Sequence, residues 1–102
     1  MTEPGRPPYE VHFSRAVAER LRRLQRRASR AGRGDLLIHA LRTIVHRLRH
    51  EPLTFGEPLY RLPALRLQVR CAVVRPLVID FGVHEDRPVI YVKGVQSLED
   101  PS

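Results

Sequence analysis

A chain of 102 residues is the length of one domain. It can bury one modest core and leaves no room for a separate cofactor-binding domain. With 42% hydrophobic and 28% charged residues the composition is globular, and a formal charge of +7 points to an acidic partner: RNA, DNA or an acidic protein. No apolar run reaches membrane-spanning length and Met1–Pro8 is no signal peptide, so a cytoplasmic location with no membrane partner is expected. The one cysteine, Cys71, suits a reducing compartment, excludes an internal disulfide and reads as a buried structural thiol.

The charge is segregated. Residues 14–50 carry eleven arginines against Glu19 and Asp35, while the rest of the chain holds seven Lys+Arg against nine Asp+Glu. All the positive excess therefore lies on one stretch, and Lys93 is the only lysine.

In chain order, residues 1–8 are rich in proline and read as a flexible arm. Tyr9, Val11 and Phe13 alternate with Glu10 and His12, the pattern of a half-buried strand. Ser14 caps a first helix in which Val17, Leu21, Leu24, Ala28 and Ala31 form one apolar stripe. Arginines occupy the remaining surface. Gly32 and Gly34 end that helix and Asp35 caps a second, whose stripe is Leu37, Leu41, Ile44 and Leu48 and whose end is Pro52. Two such helices across a short link predict an antiparallel hairpin.

Leu53–Pro58 reads as a loop and Leu59–Leu62 as the start of a strand interrupted by Pro63. Leu65–Val74 is a long strand, with Leu65, Leu67, Val69, Cys71 and Val73 assigned inward and Arg66, Gln68 and Arg70 outward. Leu77–His84 follows, with Leu77, Ile79, Phe81 and Val83 inward and Asp80 and His84 outward. Gly82 marks a bulge or a close backbone approach. Glu85–Pro88 is a hairpin turn. Val89–Val95 closes the sheet, with Ile90 and Val92 inward and Tyr91 and Lys93 outward, and 99–102 is a tail. The expectation is a single α+β domain over 9–98: a β-α-α-β-β-β, mainly antiparallel four-stranded sheet with a helical hairpin packed on one face.

The order of elements and several local cues resemble the RelE/ParE toxin superfamily of type II toxin–antitoxin systems. The cues are the opening Tyr9-Glu10-Val11-His12-Phe13-Ser14, the passage Leu48 to Pro52 followed by Phe55-Gly56-Glu57-Pro58-Leu59-Tyr60-Arg61-Leu62, and the closing strand Val89–Val95. The resemblance implies a toxin neutralised by a cognate acidic antitoxin that wraps it. It also implies metal-independent mRNA cleavage at the ribosome, carried by Arg, Lys and Tyr on the sheet, or alternatively gyrase inhibition. No cofactor or metal is implied. Two positions depart from the family pattern: Val78 stands where a catalytic arginine is expected, and Gln96-Ser97-Leu98 replaces a polar cluster. A catalytically degenerate binding protein is thus a further alternative.

The outward residues supply the candidate site. Tyr60, Arg61, His84 and Lys93 are the candidate catalytic groups of an endoribonuclease. Arg66, Arg70, Arg75 and Tyr91 are the candidate nucleic-acid ligands, cations for phosphate and a ring for a base. The competing reading is a solvated sheet face with cross-strand charge pairs. His39, His46 and His50 share one side of the second helix. Arg42 and Arg49 nearby disfavour a metal there.

Overall fold

The computed structural model describes residues 7–98; most of the arm assigned to 1–8 and the tail 99–102 lie outside them. The elements are β1 (Glu10–Phe13), α1 (Arg15–Arg30), α2 (Gly34–His50), β2 (Glu57–Leu62), a 3-10 turn at Pro63–Leu65, β3 (Leu67–Val74), β4 (Leu77–His84) and β5 (Val89–Ser97). The expected β-α-α-β-β-β plan holds with one strand added, giving β-α-α-β-β-β-β and a five-stranded sheet ordered β1-β5-β4-β3-β2. β2 is a full edge strand that begins at Glu57, because its proline, Pro58, is tolerated where only one neighbour needs hydrogen bonds. β2, β3, β4 and β5 pair antiparallel, and β1 lies parallel on the outer side of β5.

Ser14 starts α1 as expected, accepting a hydrogen bond from Val17 N–H at 3.1 Å. Gly32, at φ +75°, turns the chain toward α2. Asp35 is not the cap of α2. The helix begins one residue earlier, and Asp35 lies in its first turn, where a carboxylate favours the positive end of the helix dipole. The apolar stripes of both helices cover one face of the sheet, and Leu48, Leu77, Phe81 and Ile90 are fully buried there. Each such side chain contributes about 2 kcal/mol of apolar transfer energy. No helix among the described residues is long and apolar enough to cross a membrane.

β3 faces the opposite way from the expectation. The chain leaves the 3-10 turn through Arg66 in the left-handed conformation (φ 54°), so Leu65 and Arg66 precede the strand instead of belonging to it. Pairing with β4 then sets Arg70 beside Phe81, Ala72 beside Ile79 and Val74 beside Leu77, all toward the helices. Leu67, Val69, Cys71 and Val73 share the other face with His84, Gly82, Asp80 and Val78.

The reason is Phe55. It leaves the loop after α2, is 4% exposed, stacks on Phe81 with centroids 5.8 Å apart and carries the Arg47 guanidinium 4.8 Å from its ring centre. This fills the space beneath the end of α2. Arg70, only 6% exposed, fits beside it: Nε donates to Phe55 O at 3.1 Å and Nη2 to Gly56 O at 3.0 Å. Gly56 must be glycine, because at φ +73° a Cβ would lie 2.2 Å from the Cys71 carbonyl oxygen.

Replacing Arg70 by methionine keeps the apolar stem and leaves both loop carbonyls without their donor. The expected cost is about 3 kcal/mol of unfolding free energy, read from urea denaturation. A change within experimental error would mean that these bonds do not hold the loop.

Candidate functional site

The helices leave one face of the sheet uncovered, and the registers arrange its side chains in rows across the strands. The central row runs Tyr60 (β2), Val69 (β3), Gly82 (β4), Tyr91 (β5) and His12 (β1). The next row holds Glu57, Cys71, Asp80 and Gly94. Between the two rows β5 carries one extra residue, Lys93, in a bulge opposite the Asp80–Phe81 step. A bulge lets one strand aim a side chain out of the regular alternation. Lys93 uses it to reach across β4 and β3, with Nζ 5.9 Å from the centre of the Tyr60 ring. At the other end of the row, His12 stacks on Tyr91 at 5.5 Å, and His12 Nε2 lies 3.1 Å from Glu10 Oε1.

The middle of the row is low. Val69 is 1% exposed although no helix covers it, and a Cβ on Gly82 would sit 3.3 Å from Leu67 Cδ1. Neither the bulge nor the close backbone approach expected at Gly82 is found there: the bulge is at Lys93, and the neighbour is a side chain, Leu67. Tyr60 and Tyr91 stand above this floor, half exposed. Beside Lys93 an open cleft of about 400 Å³ runs between the start of α1 and β5, lined by Arg20, Asp80, Lys93, Gly94 and Gln96. Arg20 Nε donates to Val95 O at 2.7 Å and so ties α1 to the part of β5 that β1 does not reach.

Of the expected site residues, Lys93 is brought to Tyr60, Tyr91 shares their row but stands three strands from Tyr60 beside His12, and the others lie elsewhere. Arg70 is withdrawn as a nucleic-acid ligand, because its guanidinium is buried on the helix side and bonded to backbone. Arg61 pairs with Glu85 at 2.6 Å, and Arg66 pairs with Asp86. His84 Nδ1 accepts from the Asp86 and Arg87 backbone N–H groups, both at 3.1 Å, so its ring holds the β4–β5 turn. Arg75 lies at the opposite end of the sheet, before a cis proline in the β3–β4 turn. Val78, where the family pattern has a cation, shares its end of the open face with Val73 and Gln96. His12 was not anticipated. Its outward position was legible, but its place beside Tyr91 follows only from the parallel pairing of β1 with β5.

Cys71 lies on this open face rather than in the core. It is half-buried opposite Asp80 and Glu57. Burial, then a hydrogen bond to Asp80 and the charges of Asp80 and Glu57, push its thiol pKa up, which keeps it protonated and unreactive. The paired turn carboxylates shift the other way. The hydrogen bond from Arg61 holds Glu85 below its ordinary value, and that from Arg66 does the same for Asp86.

Comparison with solved structures gives a match to a chain of the toxin–antitoxin complex RelBE2 from Mycobacterium tuberculosis. The TM-score is 0.67 and the identity 20%, over 96% of this chain and 100% of that one. The shared architecture is the RelE-like α+β fold. No protein-family profile and no curated protein sequence matches the chain.

Two predictions follow from the electrostatics. Asp80→Asn removes the acceptor and one of the charges that raise the Cys71 pKa, so iodoacetamide should alkylate Cys71 severalfold faster near neutral pH. An unchanged rate would mean that Asp80 does not act on the thiol. The lowered carboxyls of Glu85 and Asp86 stabilise the β4–β5 turn above their unfolded pKa values and cease to do so as pH falls through the folded ones. Amide exchange in residues 85–88, followed by NMR, should therefore accelerate selectively on acidification below about pH 4. Uniform acceleration over the whole sheet would contradict this.

Proposed function

We propose that this chain is the toxin subunit of a type II toxin–antitoxin pair, neutralised by an acidic antitoxin and acting on RNA through the central row of its open sheet face. The observation that carries the reading is the Lys93 ammonium brought across the strands to Tyr60 above a low apolar floor, with a second pair, Tyr91 and His12, at the far end of the same row. The fold shared with a chain of a toxin–antitoxin complex supports the same reading.

The chemistry suited to these groups is metal-independent transesterification. The RNA 2′-oxygen attacks phosphorus and forms the P–O2′ bond, and the P–O5′ bond breaks, leaving a 2′,3′-cyclic phosphate and a 5′-hydroxyl. The 2′-hydroxyl proton passes to a solvent water, because His12, paired with Glu10 through Nε2, stands on the edge strand opposite Tyr60. Lys93 offers its ammonium to the charge that builds on the phosphoryl oxygens. Tyr60, under Lys93, can return a proton to the departing 5′-oxygen. Tyr91, stacked on His12, leaves a ring face near the row for a nucleobase.

A second reading is a RelE-fold binding protein without chemistry. It is favoured by the charge of the same face, where Lys93 is accompanied by Glu57 and Asp80 and the family's arginine position is Val78.

The test is induced expression in a bacterial host of the wild-type chain and of a Tyr60→Phe/Lys93→Ala variant, with growth, translation and mRNA ends followed. The proposal expects arrest with new 5′-hydroxyl mRNA ends, and cleavage slowed about 10²-fold or more in the variant. Normal growth with abundant soluble wild-type protein would favour the binding protein. Arrest with DNA damage and intact mRNA would point instead to gyrase inhibition.

A further inference from the structure

The outer side of α2 carries His39, His46 and His50, all exposed, and the fold brings two of them together. His46 and His50 lie one helical turn apart at the C-terminal end of the helix, which sets their Cβ atoms about 6 Å apart on one face. Their ring centres are 4.6 Å apart and their planes are inclined by 46°, so the rings neither stack flat nor diverge. Neither ring has a hydrogen-bond or ion-pair partner among the described residues. His39, two turns earlier, is about 10 Å from His46 along the helix axis and stands apart.

Two imidazoles at this separation suit one metal ion. With metal–nitrogen bonds of about 2.1 Å, two rings bound at a right angle have their centres about 4.5 Å apart. Tetragonal and octahedral ions place neighbouring ligands at that angle, and imidazole is a preferred ligand of Ni²⁺ and Cu²⁺. The helix holds the second ring in place once the first has bound, and linkage of this kind raises affinity by about 10²-fold or more over one imidazole. His50 is the last residue of α2, where the negative end of the helix dipole favours a cation.

The neighbouring arginines oppose an ion less than their positions in the sequence suggest. Arg47 is paired with Glu51 and lies over the Phe55 ring. Arg49 lines the groove between α2 and β1 with Pro8 and Val45. Arg42 remains, exposed one turn before His46. In water a single guanidinium at that distance repels a dication less than two coordination bonds attract it. No set of three or more His, Cys, Asp or Glu side chains among the described residues is arranged to hold a metal, so the chain supplies two ligands and water fills the other positions.

We propose that His46 and His50 form a two-imidazole site for a divalent transition-metal ion of the Ni²⁺ and Cu²⁺ class. Its open positions make the ion exchangeable, and its occupancy follows the free metal concentration. The site belongs to the helix layer behind the open sheet face and takes no part in the proposed RNA chemistry.

The experiment is isothermal titration calorimetry of NiCl₂ into the untagged chain and into the single variants His46→Gln, His50→Gln and His39→Gln. Ni²⁺ is the probe because, unlike Cu²⁺, it does not oxidise a thiol such as Cys71. Paramagnetic broadening of the histidine ring signals in NMR locates the ion, and circular dichroism checks that each variant is folded. The expected result is a single saturable site in the wild-type chain and in His39→Gln, with His46 and His50 broadened first. In His46→Gln and in His50→Gln the affinity should fall by about 10²-fold. Binding that survives either of these two substitutions, or that is lost in His39→Gln, would overturn the proposal. Absence of saturable binding by the wild-type chain would overturn it as well.

Discussion

The open face owes its character to the buried guanidinium of Arg70. Hydrophobicity alone would turn Leu67, Val69, Cys71 and Val73 of β3 to the helices, and the structure turns them away. The decision falls to the loop after α2, whose Phe55 enters the core and whose carbonyls at 55 and 56 then point inward. Buried carbonyls require donors, and an arginine fork supplies two at once. Arg70 must therefore face the helices, and alternation carries Leu67, Val69, Cys71 and Val73 to the other side. A folded chain that turned β3 over would take the guanidinium from the carbonyls of Phe55 and Gly56 and leave both without their donor.

From this constraint comes the low floor of the candidate site. With Val69 at its centre and Gly82 beside it, the middle of the central row has no polar side chain of its own, and the candidate side chains reach it from the outer strands. Tyr60 comes from the β2 edge, Tyr91 from β5 and His12 from β1, while the bulge sends Lys93 across the strands between. A low-dielectric floor strengthens any charge interaction made just above it. One lysine over such a surface does more than the same lysine on a solvated helix.

Much of the fold was legible because it rests on periodicity. The α1 and α2 stripes, the Ser14 cap and the inward residues of β4 follow directly from spacings of three, four and two. What escaped was set by contacts between elements distant in sequence. Phe55 sits among loop residues, with no period to mark it as core. Arg70 reads as surface because a buried arginine is rare and its partners are backbone atoms. Its inversion also removed a cation from the expected phosphate site, so one misread strand changed the site more than the fold. His12 and Tyr91 lie 79 positions apart and meet only because β1 adds parallel to β5. The extra residue in β5 was visible only as an ambiguity in its alternation, with Val89 and Val95 on the side of Tyr91.

The charge separation along the chain takes on meaning in this frame. The open face has one lysine among acids, too weak a field to capture a polyanion by itself, while the positive excess of residues 14–50 is spread over the helices on the other side of the molecule. An enzyme that places its binding charge on the reacting groups lowers substrate and transition state together and gains affinity without rate. Binding charge on a separate face avoids that. Under the proposed chemistry it would leave the central row nearly neutral and let its one cation act where charge develops. Under the proposed function, affinity and chemistry need not be carried by the same residues, so Val78 among the apolar side chains of the open face is compatible with an RNA target.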